Sequence, residues 1–99
     1  MNKEVIESLG YFSPKLLSTG EWAALGKFIF TTGLLVGIDE VGYRTRFCYK
    51  YSTDALIALN AWDGVGDPPG NWIKEKGSIE RNNPNLNKIK DIPIITEKL

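Results

Sequence analysis

Two runs of alternating residues dominate the chain. From Phe28 to Ile38 the even positions are Phe28, Phe30, Thr32, Leu34, Val36 and Ile38, and from Tyr43 to Tyr51 the odd positions are Tyr43, Thr45, Phe47, Tyr49 and Tyr51. A period of two is that of a strand with one buried face. The intervening "DEVG", residues 39–42, turns the chain and opposes Val36 to Thr45, Leu34 to Phe47 and Thr32 to Tyr49, with Ile38–Tyr43 and Phe30–Tyr51 extending the ladder at its ends. A slip of one residue would set Val36 against Arg46, so the hydrophobic pattern itself specifies this register.

Around the hairpin the period changes to that of a helix. "NKEVIESLG" places Val5, Ile6 and Leu9 on one side, with Gly10 as a stop. "SPKLL" offers Ser13 as a cap with Pro14 at the first helical position, and "STGEWAALG" sets Glu21 three residues after Ser18, the spacing of a capping box. Two short helical turns are therefore predicted, the second ending near Gly26. After the hairpin, "YSTDALIALNAWDG" has Ser52 or Thr53 as cap, Asp54 in the first turn, Ala55, Leu56, Leu59 and Trp62 at helical spacing, and Gly64 as its end. This helix is expected to cross the apolar face of the hairpin with Trp62 as its largest anchor. "NWIKEKG" reads as a short strand, "SIERNNPNLN" as turn-rich, and "DIPIITEKL" as an edge strand or tail because Pro93 lacks a ladder donor.

The predicted fold is a single α+β domain over residues 1–99: a small antiparallel sheet built on a central hairpin, about 28–38 and 43–51, with helices packed on one face. A chain of 99 residues, 42% of them hydrophobic, has material for one core without a metal or disulfide to staple it. Cys48 is the lone cysteine, which excludes an internal disulfide and multi-cysteine zinc motifs and fits a reducing compartment, hence a cytoplasmic location. No stretch reaches the length of a membrane span and the first residues lack a signal-peptide pattern, so a soluble chain with no membrane partner is expected.

Histidine is absent, which removes the commonest general base near neutral pH and the commonest zinc ligand. Twelve basic and twelve acidic residues balance, so any affinity for nucleic acid must come from one face and not from bulk charge. Such a face exists on the outer side of the hairpin, where Arg44, Arg46, Cys48 and Lys50 form a stripe about 14–20 Å long. The simpler reading is that an antiparallel sheet wets one face with residues of this kind; the functional reading rests on Gly33 and Gly37 on the opposite strand, which leave the backbone bare for a close approach by something else, a second subunit included. Cys48 has no histidine to take its proton.

"WDGVGDPPGNW" is the other candidate. Pro68 and Pro69 fix φ while Gly64, Gly66 and Gly70 accept positive φ, giving a stiff loop between Trp62 and Trp72 that either presents a surface or closes the core. Asp63 and Asp67 lack the third oxygen ligand and terminal glutamate of a calcium loop, and no cofactor or metal is expected. Residues 52–71 carry three negative charges and no positive one, whereas residues 72–90 carry five positive and two negative, an asymmetry able to steer a partner. Asp63, Glu75 and Glu80 are the acids open to a small, toxin-like enzyme, but nothing in the sequence places them together, and the balance leans away from catalysis.

The runs "YRTRFCY", "ALNAWDGVGDPPGNWIKEKG" and "ERNNPN", which cover about residues 43–84, resemble a pattern in small uncharacterised bacterial and prophage proteins where a hairpin and helix precede a tryptophan-aspartate-glycine loop. The resemblance carries no site residues and implies an interaction role, such as blocking a host nuclease or defence complex. The leading expectation is a non-catalytic protein-interaction module, an inhibitor from a phage or other mobile element, with Arg44, Arg46, Lys50, Trp62, Asp63, Asp67, Trp72, Lys74 and Lys76 as its partner-binding residues. The alternative is nucleic-acid binding on the basic strand face. A homodimer through the free face stays open.

Overall fold

A computed structural model describes residues 1–86, and the run read as an edge strand or tail, residues 91–99, lies outside them. Helix α1 (Lys3–Ser8) leads into strands β1 (Phe12–Leu16), β2 (Trp22–Lys27), β3 (Thr32–Val36) and β4 (Thr45–Tyr49), then helix α2 (Ser52–Ala61), and strands β5 (Lys74–Gly77) and β6 (Arg81–Asn82). The strands form one six-stranded antiparallel sheet in the order β1-β2-β3-β4-β5-β6. The α+β class and the central hairpin are those of the hydrophobic pattern. Thr32 opposes Tyr49, Leu34 opposes Phe47 and Val36 opposes Thr45.

Two predicted helical turns are instead β1 and β2. Strand β2 sends Ala23 and Leu25 to one face and Ala24 to the other, all fully buried. A strand buried on both sides shows no alternation and cannot be told from a helix by periodicity. The spacing of Ser18 and Glu21 serves a hairpin, with Leu17 N–H donating to Glu21 O at 2.9 Å and Gly20 at φ +91°. Pro14 sits in edge strand β1, next to Ser13 at φ +56°, where the register with β2 shifts. An edge bulge tolerates a residue with no N–H.

The strand predicted over 28–38 is shorter for a related reason. Lys27 pairs with Thr32, and Phe28 N–H donates to Thr31 O, so residues 28–31 are the turn between β2 and β3. Phe30 therefore never faces Tyr51. At the other end Asp39 accepts from Val41 N–H and Gly42 N–H, which closes the β3–β4 turn beyond the ladder and leaves Ile38 and Tyr43 outside it.

Helix α2 packs across β2, β3 and β4. Its inward residues are Ala55, Ala58 and Leu59, not Leu56, which is exposed. The two alanines bring the helix close to a layer of Leu25, Leu34, Val36, Phe47 and Tyr49. Neither Ser52 nor Thr53 caps it. Tyr51 occupies the cap position without a side-chain bond, and Ser52 Oγ turns to Thr32 Oγ1 at 2.6 Å. At the other end Lys15 Nζ donates to Leu59 O and Asn60 O, placing a cation where the helix dipole is negative. Helix α1 lies on the opposite face, where Ile6 joins Ala24, Leu35 and Ile38 under Tyr11, Trp22, Phe28 and Tyr43. The two helices thus divide between the faces, and α1 covers only part of its own.

Candidate functional site

The tryptophan loop resolves into a structural element. Trp62 and Trp72 are 6% and 1% exposed, and both rings meet Phe47 edge to face, at centroid distances of 6.0 and 4.9 Å. Neither ring offers a surface to a partner. Arg81, in the sequence one of the five cations of residues 72–90 with no role assigned, is the clasp. Its guanidinium pairs with Asp67 in the loop and with buried Glu75 on β5 at 2.8 Å, and it lies 5.1 Å above the Trp72 ring. Hydrogen bonds donated to Asp67 first and Glu75 second hold the Arg81 pKa above its ordinary value. Thr45 Oγ1 donates to the second oxygen of Glu75. Asp63 is used in turns, its carbonyl accepting from Ser18 N–H and Oγ and its carboxylate from Val65 N–H.

Tyr49, fully buried, donates from its hydroxyl to Pro69 O at 2.7 Å and so ties the "DPPG" turn to β4. Burial, and then Asp54, push its pKa up. The folded state binds this proton more tightly than the unfolded chain, so the contribution to stability is complete below the ordinary value of 10.0 and declines as pH rises above it. Tyr49→Phe is expected to cost about 1 kcal/mol at neutral pH for the lost hydrogen bond. It should also flatten the fall in stability at higher pH. Urea melts on both sides of pH 10 check this, and parallel pH profiles for the two proteins would count against it.

The outer face of the hairpin is where unspent chemistry collects. Because β5 pairs with β4, Arg46 stands directly opposite Lys76 and Cys48 opposite Lys74. Lys74 and Lys76 join the stripe through a pairing that the sequence pattern left undetermined. Arg44 leaves it: Nε and Nη2 grip both oxygens of Glu21 at 3.0 and 2.9 Å, which raises its pKa. Lys50 lies beyond the end of β4, 5.5 Å from the Tyr51 ring. The bare glycines are covered by the chain itself. A Cβ at Gly33 would stand 2.7 Å from the Phe28 ring, and one at Gly37 would stand 2.8 Å from Arg44 Cβ and from a Glu21 carboxylate oxygen.

Between the 28–31 turn and β5 lies a cleft of about 490 Å³, bounded by Phe28, Ile29 and Phe30 on the turn and by Ile73, Lys74 and Lys76 on the other side. Arg46 and Cys48 also line it, Cys48 almost completely buried. The Arg46 guanidinium lies 4.1 Å from the Phe28 ring centroid, and Nη1 donates to Tyr43 Oη at 2.7 Å. Burial works against its charge, but Tyr43 and Cys48 outweigh that and its pKa is raised. Arg46 Nε is buried with no hydrogen-bond partner among the described residues. On the rim, Ile29 and Phe30 are 90% and 88% exposed, an apolar pair at the tip of a turn that no sequence pattern had marked as a surface.

Like charges directly opposite one another destabilise a ladder, yet neither Arg46 nor Lys76 has a carboxylate partner among the described residues. Lys74 alone meets one, Glu80 at 3.6 Å, both partly solvated. Of the carboxylates considered for catalysis, Glu75 is held by Arg81 and Thr45, Glu80 stands beside Lys74 and Asp63 serves a turn. They occupy separate contacts. Among the described residues no cluster of three or more metal-ligating side chains occurs, and no helix is long and apolar enough to cross a membrane. Comparison with protein-family models, with curated proteins and with solved structures found no match for this chain.

Proposed function

We propose that this protein is a non-catalytic interaction module that docks a protein partner on the open part of its outer sheet face. The carrying observation is the exposure of Ile29 and Phe30, 90% and 88%, on the rim of a cleft that also holds Arg46, Lys74 and Lys76. Large apolar side chains this exposed, on the rim of a concave surface that holds three cations, offer a partner apolar area and charge side by side. The lone cysteine supports a cytoplasmic setting, and the resemblance to small bacterial and prophage proteins an origin on a phage or mobile element, where such a module would inhibit a host defence or nuclease complex. The partner surface expected from the sequence thereby contracts: Arg46, Lys74 and Lys76 remain, Lys50 flanks the site, and Arg44, Trp62, Asp63, Asp67 and Trp72 act within the fold.

A second reading, single-stranded nucleic acid, is favoured by one observation. Lys27 and Lys50 line a further cleft on the same 28–31 turn, so cations continue past exposed Phe30, on which a base could stack. Capture from a bacterial lysate separates the two. The expected result is a discrete protein retained at high salt and after nuclease treatment, lost with Phe30→Asp and kept with Val41→Asp, a fully exposed control in the opposite turn. Nucleic acid released by salt would replace the first reading by the second. Retention indifferent to Phe30→Asp would remove the site.

A further inference from the structure

The chemistry of the cleft specifies its occupant more narrowly, an inference that rests on the interaction reading above. We infer that the cleft between the 28–31 turn and β5 receives an extended acidic segment of the partner, with a carboxylate on Arg46 and apolar side chains against Ile29 and Phe30.

Three observations converge on this occupant. Arg46 is held in place by stacking on Phe28 at 4.1 Å and by Tyr43 at 2.7 Å, so little side-chain freedom is lost when it binds. Its buried Nε lacks an acceptor among the described residues. That nitrogen is closed to solvent, so a partner reaches the guanidinium from the cleft that Arg46 lines, and a carboxylate is the acceptor whose geometry fits the fork. The β4–β5 pairing then sets Lys76 opposite Arg46 and Lys74 on the diagonal, within about 8 Å on the same face. That arrangement repels itself in the free protein and is relieved by negative charge laid along the ribbon. The third observation is the lining, in which Phe28, Ile29, Phe30 and Ile73 give apolar area beside the cations. A bare polyanion leaves that area wet, whereas a segment alternating acidic and apolar residues covers it.

Charge also argues against a second copy of this chain. In a two-fold seam the same patch meets itself, so the cationic patch of Arg46, Lys74 and Lys76 would be set against the same patch of the other copy.

The test uses the full chain and a fluorescein-labelled synthetic peptide that alternates aspartate with leucine. Its asparagine-for-aspartate counterpart, single-stranded oligothymidylate, and vesicles of phosphatidylcholine with phosphatidylserine are the comparisons. Fluorescence anisotropy and amide shift mapping are expected to show saturable binding of the acidic peptide, with shifts at residues 28–31, 46–48 and 73–76. The asparagine peptide should bind about ten-fold more weakly. Lys74→Glu with Lys76→Glu should weaken the acidic peptide by at least about ten-fold while the circular dichroism spectrum is unchanged, and Arg44→Ala, already committed to Glu21, should leave it as it was. Equal binding of the two peptides, shifts on another face, or preference for oligothymidylate or the vesicles would overturn the inference. If lysate capture still depends on Phe30 while the double charge reversal changes neither capture nor peptide binding, the acidic occupant is wrong and the interaction reading stands. Loss of both dependences removes both.

Discussion

Trp72→Ala is expected to remove about 3–5 kcal/mol of stability, the range for deleting a large buried aromatic side chain. Against the roughly 5–15 kcal/mol that holds a domain of this size together, this is the most damaging single truncation of the core. The side chain is 1% exposed, meets Phe47 edge to face at 4.9 Å and carries Arg81 above its ring. Its removal therefore opens a cavity under the sheet and loosens the clasp that joins Asp67 to Glu75. Trp72→Phe keeps part of the volume and should cost less. Urea denaturation of the three proteins measures the difference, and a loss below about 1 kcal/mol for the alanine variant would mean that the ring is not in the core. Helix α2 and the sheet stand on the same cluster, so one cooperative transition should report the loss.

Gly77→Ala is expected to cost about 2–4 kcal/mol, combining a strained backbone with a steric collision. Gly77 holds φ +148° at the end of β5, and a Cβ there would come within 2.5 Å of Arg44 O and Thr45 Cα, both backbone atoms where the chain enters β4. No rotamer change relieves such a contact. The end of β5 has to leave β4, which strips Thr45 of its bond to Glu75 and moves Lys76 away from Arg46. Gly66→Ala is the matched control, at φ +69° with nothing within 4 Å of its Cβ, and carries the backbone penalty alone, about 1–2 kcal/mol. Melts of both variants, with hydrogen exchange at the β5 amides, distinguish the two contributions. Equal losses at the two glycines would show that crowding at Gly77 is not the cause.

The sequence was most legible where one face of an element is buried and the other is not. Residues 32–36 and 45–49 alternate in that way, and class, turn and register follow from the pattern. It was least legible along Trp22–Lys27, where Ala23 and Leu25 are buried under α2 and Ala24 against Ile6, Leu35 and Ile38 on the other face, so the contrast that marks a strand vanishes. The candidate site shows the same division. Arg46 was readable as part of a stripe, but that Arg44 leaves the stripe for Glu21 while Arg46 meets no carboxylate among the described residues rests on a contact across 23 positions. Ile29 and Phe30 read as strand residues because they continue the hairpin's hydrophobic run, and only the pairing of Lys27 with Thr32 turns them outward. Trp62 and Trp72, set around a loop rich in glycine and proline, read more readily as a packed pair than as a clamp, and local sequence left both open. The position of Phe47 between them decided for the core.

Local information thus determined the hairpin, its register, the helix that follows it and the exclusion of histidine chemistry, because strand period, turn composition and residue type act over a few neighbouring positions. Tertiary structure alone decided which cations share a face, which carboxylates are already spent and which hydrophobic residues stay in water. Those outcomes are set by strand order and by contacts between residues far apart in the chain, through which Arg81 clasps a loop and Arg46 comes to stand opposite Lys76.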